Sequence, residues 1–168
     1  MDILTYLLVL LSSFSGLIIG LILCNITLEE LPNVAKYLKY FNMALLPLII
    51  FFAAYQITLF YSVLTTVAAL LLLLIFRKGY DDTFTYCGLG ALFYLASIYD
   101  GLFLVSILIF IYGVSIGTIT SQKHLIHAKA SSKISCKENR DIAKMLLARY
   151  AHYIIVAIVF FAVFEWII

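Results

Sequence analysis

The sequence is poor in charged residues, glycine, proline and cysteine. Of its 168 residues, 12% are charged, eight are glycine and two are proline. A soluble domain carries about 25% charged residues, so this composition argues against a soluble enzyme, a disordered chain and a nucleic-acid-binding protein. The three cysteines, Cys24, Cys87 and Cys136, are odd in number and form no C-x-x-C pair. That pattern argues against a disulfide scaffold and a thiol redox site.

Hydrophobic residues take the place of the missing charge. They make up 65% of the chain, and the mean hydropathy is +1.11. The chain also has stretches without any charged residue that are long enough to cross a bilayer, such as residues 3–28 and 101–122. The sequence therefore predicts an all-α, polytopic integral membrane protein with a single transmembrane domain over residues 1–168.

The uncharged stretch 40–76 sets the number of spans. As one helix it would be about 55 Å long, well beyond a hydrocarbon core of about 30 Å. Two helices that turn near residues 56–61 fit better, which gives six spans in total. The predicted spans cover residues 3–24, 41–57, 60–76, 84–99, 102–120 and 150–168.

The basic residues predict the orientation of these spans. All 11 Lys and Arg residues fall in the segments 25–40, 77–83 and 121–149, on one side of a six-span arrangement. Because positive loops stay in the cytoplasm, both termini are expected outside, and the protein is expected in the cell membrane as a multi-pass protein.

The segment 121–149 is the largest predicted loop. Residues 121–137 are expected to form a flexible basic segment, and residues 138–150 a surface helix that runs into the last span, because apolar residues recur there at helical spacing. Its cations would suit anionic lipid headgroups, or they serve only to set the orientation of the chain.

Two pairs of glycines lie four residues apart within predicted spans. They are Gly16 and Gly20 in the first span and Gly113 and Gly117 in the fifth. Such motifs let helices approach closely, either within one chain or at a dimer interface. Pro47 is expected to kink the second span.

His124, His127 and Cys136 are too few and too irregularly spaced for a zinc site. We predict neither a metal nor a cofactor.

Acidic residues follow the first span and precede the fourth. Glu29 and Glu30 lie after the first span, and Asp81 and Asp82 before the fourth. Carboxylates that face one another at helix ends can share a proton and activate a water molecule. The alternative is structural, since Asp82 is also well placed to cap a helix.

The sequence around these residues resembles a known family. Asn25 precedes a Leu31-Pro32-Asn33 turn, and the fourth span follows Gly79-Tyr-Asp-Asp82. This is similar to the type IV prepilin and archaeal preflagellin peptidases, six-span aspartyl proteases whose second catalytic Asp ends a G-x-G-D motif. The chain departs from the family pattern at Asn25, which stands for the first catalytic Asp, and at Asp81, which stands for the second Gly.

The resemblance implies an intramembrane aspartyl peptidase, or a degenerate relative, that acts on the leaders of prepilin-like proteins. In that interpretation Asp82 supports the catalytic water, Asn25 marks the altered partner position, and Glu29 and Glu30 attract a basic leader. The alternative is a non-catalytic membrane subunit or small carrier that binds partners through its glycine faces. Membrane lipid and leader peptides are the expected partners, and nucleic acid is not.

Overall fold

The computed structural model of the protein describes residues 2–27, 31–55, 63, 65–67, 82–98, 101–129 and 136–167. Side chains are described in the same ranges except at 31–33, 82–84, 123–129, 136–139 and 164–167. The described residues are helical apart from short junctions, and no strand occurs among them. The all-α prediction is confirmed for this part of the chain.

Seven helices have described bounds, and residues 63 and 65–67 are helical as well. The seven are α1 (Ile3–Phe14), α2 (Gly16–Ile26), α3 (Leu31–Tyr55), α4 (Asp82–Ile98), α5 (Leu102–Lys129), α6 (Cys136–Tyr150) and α7 (His152–Ile167).

Four segments are long and apolar enough to cross a membrane, and together with the composition they indicate a membrane protein. They are Ile3–Ile26, Val34–Tyr55, Leu102–Gln122 and Arg140–Val163, beside a shorter apolar helix at Thr85–Ile98. The predicted third span, residues 60–76, lies mostly outside the described residues, and so does the turn predicted near residues 56–61.

Two boundaries differ from the sequence prediction. Helix α3 begins at Leu31, ten residues before the predicted second span, and α5 continues to Lys129. The prediction of a flexible segment over residues 121–137 is therefore wrong for residues 121–129. In both extensions a charged residue marks where the uncharged stretch stops, but it does not by itself end the helix. Leu31, Pro32 and Asn33, expected as a turn, form the first turn of α3, where a proline is tolerated. The helix predicted at residues 138–150 is present as α6, which begins at Cys136 and so also includes the last two residues of the predicted flexible segment.

A serine marks the junction between α1 and α2. The Ser15 hydroxyl donates to the Ser12 carbonyl over 2.7 Å, and the Ser13 hydroxyl donates to the Leu10 carbonyl over 2.8 Å. Serine hydroxyls that bond back to the preceding turn bend helices without ending them. Backbone bonds cross the junction, because Ser15 N–H donates to the Leu11 carbonyl. The two helices thus form one membrane-length segment.

The two glycine motifs pack against each other inside the molecule. A Cβ atom on Gly20 would lie 3.0 Å from the Cα of Gly117 and 2.8 Å from the backbone nitrogen of Thr118, while one on Gly117 would meet the Leu17 carbonyl. Only glycine permits so close an approach of α2 and α5. The interpretation of these motifs as internal packing faces is confirmed.

Helices α2 and α5 run in the same direction. Gly16 lies against Phe110, and Gly20, one turn later, lies against Val114. The Thr118 hydroxyl then donates to the Gly20 carbonyl over 3.1 Å. Later residues of α2 therefore meet later residues of α5.

Helix α7 runs opposite to α1. The Tyr6 hydroxyl donates to the Ala157 carbonyl over 2.9 Å, and the hydroxyls of Ser13 and Tyr153 are 2.7 Å apart. Later residues of α1 thus meet earlier residues of α7. The first residues of α1 and the later residues of α7 consequently lie at the same end of the bundle.

Helix α4 runs parallel to α7. Tyr86 contacts Tyr150, just before α7, with ring centroids 4.7 Å apart, and Tyr94 contacts Phe160 at 6.0 Å. Gly90 allows the two helices to meet, because a Cβ there would lie 2.6 Å from the Tyr153 carbonyl. Helix α4 therefore runs opposite to the α1–α2 segment.

Candidate functional site

Helix α6 closes one end of the bundle. It packs against α2, α4 and α5. Its last residue, Tyr150, contacts Tyr86 in the second turn of α4, and its hydroxyl is 3.4 Å from that of Thr120 in α5. The last turns of α2, the first turns of α4 and the described α6 side chains therefore belong to one end of the molecule. We call it the α6 end.

The amphipathic sequence of α6 explains how it packs there. Ile142, Leu146 and Tyr150 recur at a spacing of four residues and are buried. Arg140 and Lys144 lie on the other face and are exposed. The apolar stripe is held by the bundle, while the cations remain outside it.

The two positions that correspond to the catalytic residues of the peptidase family lie at the α6 end. Asn25 is in the last turn of α2, and Asp82 is the first residue of α4. The side chain of Asp82 lies outside the described part of the chain, as do Asp81, Glu29 and Glu30. The structure thus has both helix ends at the α6 end of the bundle, and it describes no contact between the site side chains themselves.

The Asn25 side chain is held by its own helix. Its amide nitrogen Nδ2 donates to the Leu21 carbonyl over 3.1 Å, and the residue is half-buried. A neutral amide in this position neither ionises nor shares a proton with a carboxylate. An aspartate at position 25 would have no amide hydrogen to give to Leu21, so it would be released from this bond.

Helix α5 lines the interior near the α6 end with polar side chains. The Thr118 hydroxyl reaches two carbonyls, those of Gly20 and Val114, at 3.1 and 2.8 Å. Ser121 is fully buried, and its hydroxyl has no partner among the described residues. The buried polar residues of α5 in this region are Ser115, Thr118, Thr120, Ser121 and Gln122.

A group of buried tyrosines connects this polar interior to the centre of the bundle. The ring of Tyr86 lies 5.7 Å from Tyr112, 4.7 Å from Tyr150 and 6.0 Å from Tyr153. A Cβ on Gly113 would lie 2.9 Å from the Tyr86 hydroxyl, so a glycine in α5 makes room for this phenol. Sequence reasoning missed the group, because tyrosines near the ends of membrane helices are usually interfacial. The available signal was the high tyrosine count, 12 in the chain.

Basic side chains surround the α6 end on the outside. Lys36, Lys39, Arg140, Lys144 and Arg149 are all exposed. The guanidinium of Arg149 lies 5.8 Å from the centre of the Tyr150 ring. The start of α3 belongs to this end because it follows α2 after a short connection. The described cations are therefore confined to one side of the molecule.

No group of three His, Cys, Asp or Glu side chains that could hold a metal occurs among the described residues. His124, His127 and Cys136 have side chains outside that set.

No model of a known protein family, no curated protein and no solved structure matches this chain.

Proposed function

We propose that this protein is a six-span membrane protein built like a prepilin peptidase, which binds the leader segments of prepilin-like proteins but lacks the complete carboxylate pair for rapid hydrolysis. The observation that carries the proposal is that the last turn of α2 and the first turn of α4 lie at the same end of the bundle, where α6 packs against both helices. The resemblance requires its two site positions, Asn25 and Asp82, at these two helix ends.

The directions of the helices support six spans. The α1–α2 segment and α4 run in opposite directions, so an even number of membrane crossings is needed between them. Helix α3 supplies one crossing if it returns through the bilayer, and the predicted span 60–76 supplies the second. With α4, α5 and α7 the total is six.

The distribution of charge supports the proposed orientation. The exposed described cations lie at the α6 end, whereas Asp2 lies at the opposite end. Positive charge is retained in the cytoplasm, so the α6 end is the cytoplasmic end and both termini lie outside. The site positions then face the compartment in which a basic leader would be found.

The residues at the site support binding over fast cleavage. An aspartyl peptidase uses two carboxyl groups that share one proton, and like charges at close range keep that proton in place. Here Asn25 supplies an amide, and Asp82 is the single carboxylate at the two matching positions. Glu29 and Glu30, four and five residues after Asn25, would attract the positive charges of a leader.

Photocrosslinking combined with a cleavage assay tests this proposal. The protein would be co-expressed with a tagged prepilin that carries a crosslinker in its leader. We expect a crosslinked product, with little leader removal by the wild type. The variant with Glu29→Gln and Glu30→Gln should crosslink less, whereas one with Lys36→Gln and Lys39→Gln, which leaves the acids intact, should not. Absence of any leader crosslink in folded wild-type protein would reject the proposal.

A second candidate function is a purely structural membrane subunit. The bond from the Asn25 amide to Leu21 favours it, because this bond gives Asn25 a role within α2 that needs no substrate. In that case the protein must bind its partner through a surface other than the glycine faces, because those faces of α2 and α5 pack against each other. Co-purification with a membrane complex, together with no leader crosslink, would favour this candidate.

A further inference from the structure

Helices α6 and α7 share one outward face. Backbone bonding continues past their junction, because the Ile155 N–H donates to the Ala151 carbonyl over 3.1 Å. Exposed side chains recur along both helices at spacings of four or seven residues, which places them on one side of the helical segment. They are Arg140, Lys144, Ala148, Ile155 and Val159. The opposite side is held by the bundle through the buried residues Ile142, Leu146, Tyr150, Tyr153 and Ala157.

The chemistry of this outward face changes along its length. Arg140 and Lys144 give its first part positive charge. Ile155, which is 56% exposed, and Val159 give its second part an apolar surface. Both parts lie within Arg140–Val163, one of the four segments long and apolar enough to cross a membrane. Exposed cations followed by exposed apolar side chains on one helix are typical of the boundary between lipid headgroups and hydrocarbon.

Arg149 marks this boundary along the helix. It is the last charged residue before Glu165, and its guanidinium lies 5.8 Å from the centre of the Tyr150 ring. At 1.5 Å per residue, Lys144 lies about 8 Å before Arg149 and Ile155 about 9 Å after it. A headgroup layer is about 5–8 Å thick on each side of a hydrocarbon core of about 30 Å. Lys144 is therefore at the level of lipid phosphates when Ile155 is at the level of acyl chains.

We infer that this outward face binds an anionic phospholipid, with its phosphate at Arg140 and Lys144 and an acyl chain along Ile155 and Val159. Guanidinium and ammonium groups bind phosphate through charge-assisted hydrogen bonds, and the arginine fork can hold two of its oxygens. The described side chains of α6 include three cations and one acid, Asp141, so their summed charge attracts an anion.

Lipid is the favoured occupant because the two parts of the face match the two parts of one molecule. A phospholipid has an anionic phosphate and apolar chains in the order in which this face presents its cations and its apolar side chains. An acidic protein would complement Arg140 and Lys144 but would leave Ile155 and Val159 uncovered. In the proposed orientation the face lies in the cytoplasmic leaflet, whose anionic lipids attract Lys and Arg beside a membrane span.

Fluorescence quenching by brominated lipids tests the inference at this face. A protein with Trp166→Phe and Ile155→Trp, the α7 reporter, has a single tryptophan on the apolar part of the face. It would be reconstituted into vesicles of phosphatidylcholine and phosphatidylglycerol in which one lipid is brominated. We expect phosphatidylglycerol to bind beside the tryptophan about five times more tightly, which is the effect of one cation near an anionic surface. Equal binding of the two lipids would overturn the inference.

Two changes of opposite sign on α6 test the role of charge. In the α7 reporter, Arg140→Gln combined with Lys144→Gln should lower the preference for phosphatidylglycerol about fivefold, whereas Asp141→Asn should raise it. Lys36→Gln combined with Lys39→Gln removes as much charge from α3 and should leave the preference unchanged. All five side chains are exposed, so the fold should tolerate these changes. An equal loss in the α6 and α3 variants would overturn the inference, because total charge would then explain the preference.

A reporter at the opposite end of the bundle is the control for the protein as a whole. Leu8 is 60% exposed and lies six residues after Asp2, as Ile155 lies six residues after Arg149. A protein with Leu8→Trp and Trp166→Phe should bind the two lipids equally, since Asp2 offers no positive charge. A preference for phosphatidylglycerol as strong at position 8 as at position 155 would contradict a site on α6 and α7.

Discussion

At the scale of single residues, the proposed function depends on the side-chain nitrogen of Asn25, which stands where the peptidase family has a carboxylate oxygen. The amide nitrogen donates to Leu21 and so belongs to α2. A carboxylate oxygen in its place could not donate and would carry charge at the end of a helix, in the same region of the bundle as Asp82. The exchange of NH₂ for O⁻ therefore changes both the local bond and the electrostatics of the site.

We predict that Asn25→Asp increases leader cleavage by the protein. In the proposed function the substitution supplies the missing carboxylate at the α6 end, which would then share a proton with Asp82. General acid–base participation typically contributes about 10²–10⁴-fold to a rate, so we expect a gain of this order over the wild type in a gel-shift assay for leader removal.

The control is the double variant with Asn25→Asp and Asp82→Asn, which should return to the wild-type rate. Equal cleavage by the single and double variants would show that Asp82 has no part in hydrolysis. No cleavage by a folded Asn25→Asp variant would leave the protein as a binder only.

The hydroxyl pair between Ser13 and Tyr153 permits a second prediction at this scale. The oxygens are 2.7 Å apart, and Ser13 also donates to the Leu10 carbonyl. After Tyr153→Phe, Ser13 still has the Leu10 carbonyl as a partner. The substitution should therefore lower the free energy of unfolding by little more than the contribution of the bond between Ser13 and Tyr153. A double-mutant cycle with Ser13→Ala in denaturant unfolding should give a coupling of about 0.6–1.7 kcal/mol. Additive single effects would show that the pair contributes nothing.

At the scale of helices, glycine substitutions should have opposite effects at two kinds of position. We predict that Gly20→Ala and Gly117→Ala each destabilise the protein by about 1–3 kcal/mol, because the new methyl group meets backbone that cannot move aside. Gly88→Ala is the matched control in α4, where nothing lies within 4 Å of the new atom. It should stabilise by up to about 1 kcal/mol through helix propensity. Unfolding in denaturant measures all three, and equal effects would contradict the packing of α2 on α5.

The helices were largely predictable from the sequence, but their ends and partners were not. The apolar stretches located α1–α2, α4, α5 and α7, because a bilayer imposes a minimum length on each span. The start of α3 and the end of α5 were misjudged, because Lys39 and Lys123 mark the edges of uncharged stretches and not the ends of helices. The glycine motifs indicated close packing, yet their spacing alone does not identify the partner helix.

The candidate site, too, was predictable from the sequence only in part. The positions of Asn25 and Asp82 at helix ends, on one side of the membrane, were predicted from the sequence. The packing of α6 against both of their helices required the structure. The tyrosines around Tyr86 were missed because spacing along one helix does not reveal a group assembled from α4, α5, α6 and α7.

At the scale of the whole molecule, the proposed topology can be tested by labelling. We predict that single cysteines at Gln56 and Asp100, in a background without native cysteines, react with a membrane-impermeant maleimide from outside the cell. A cysteine at the exposed Arg140 should react only after the membrane is opened, since the α6 end is cytoplasmic in the proposed topology. Labelling of Arg140→Cys in intact cells would reverse the proposed orientation. Labelling of Gln56→Cys or Asp100→Cys only in opened membranes would reject the six-span arrangement.

The pairing of α2 with α5 has a consequence for how the chain is made. Gly16 and Phe110 touch in the finished protein, but they leave the ribosome far apart in time. At roughly 5–20 residues per second, α2 waits on the order of 5–20 s for its partner. During that interval its glycine face is exposed to lipid and to any other helix in the membrane. A nascent chain interrupted before α5 would keep that face exposed, which makes incomplete copies of this protein natural targets for membrane quality control.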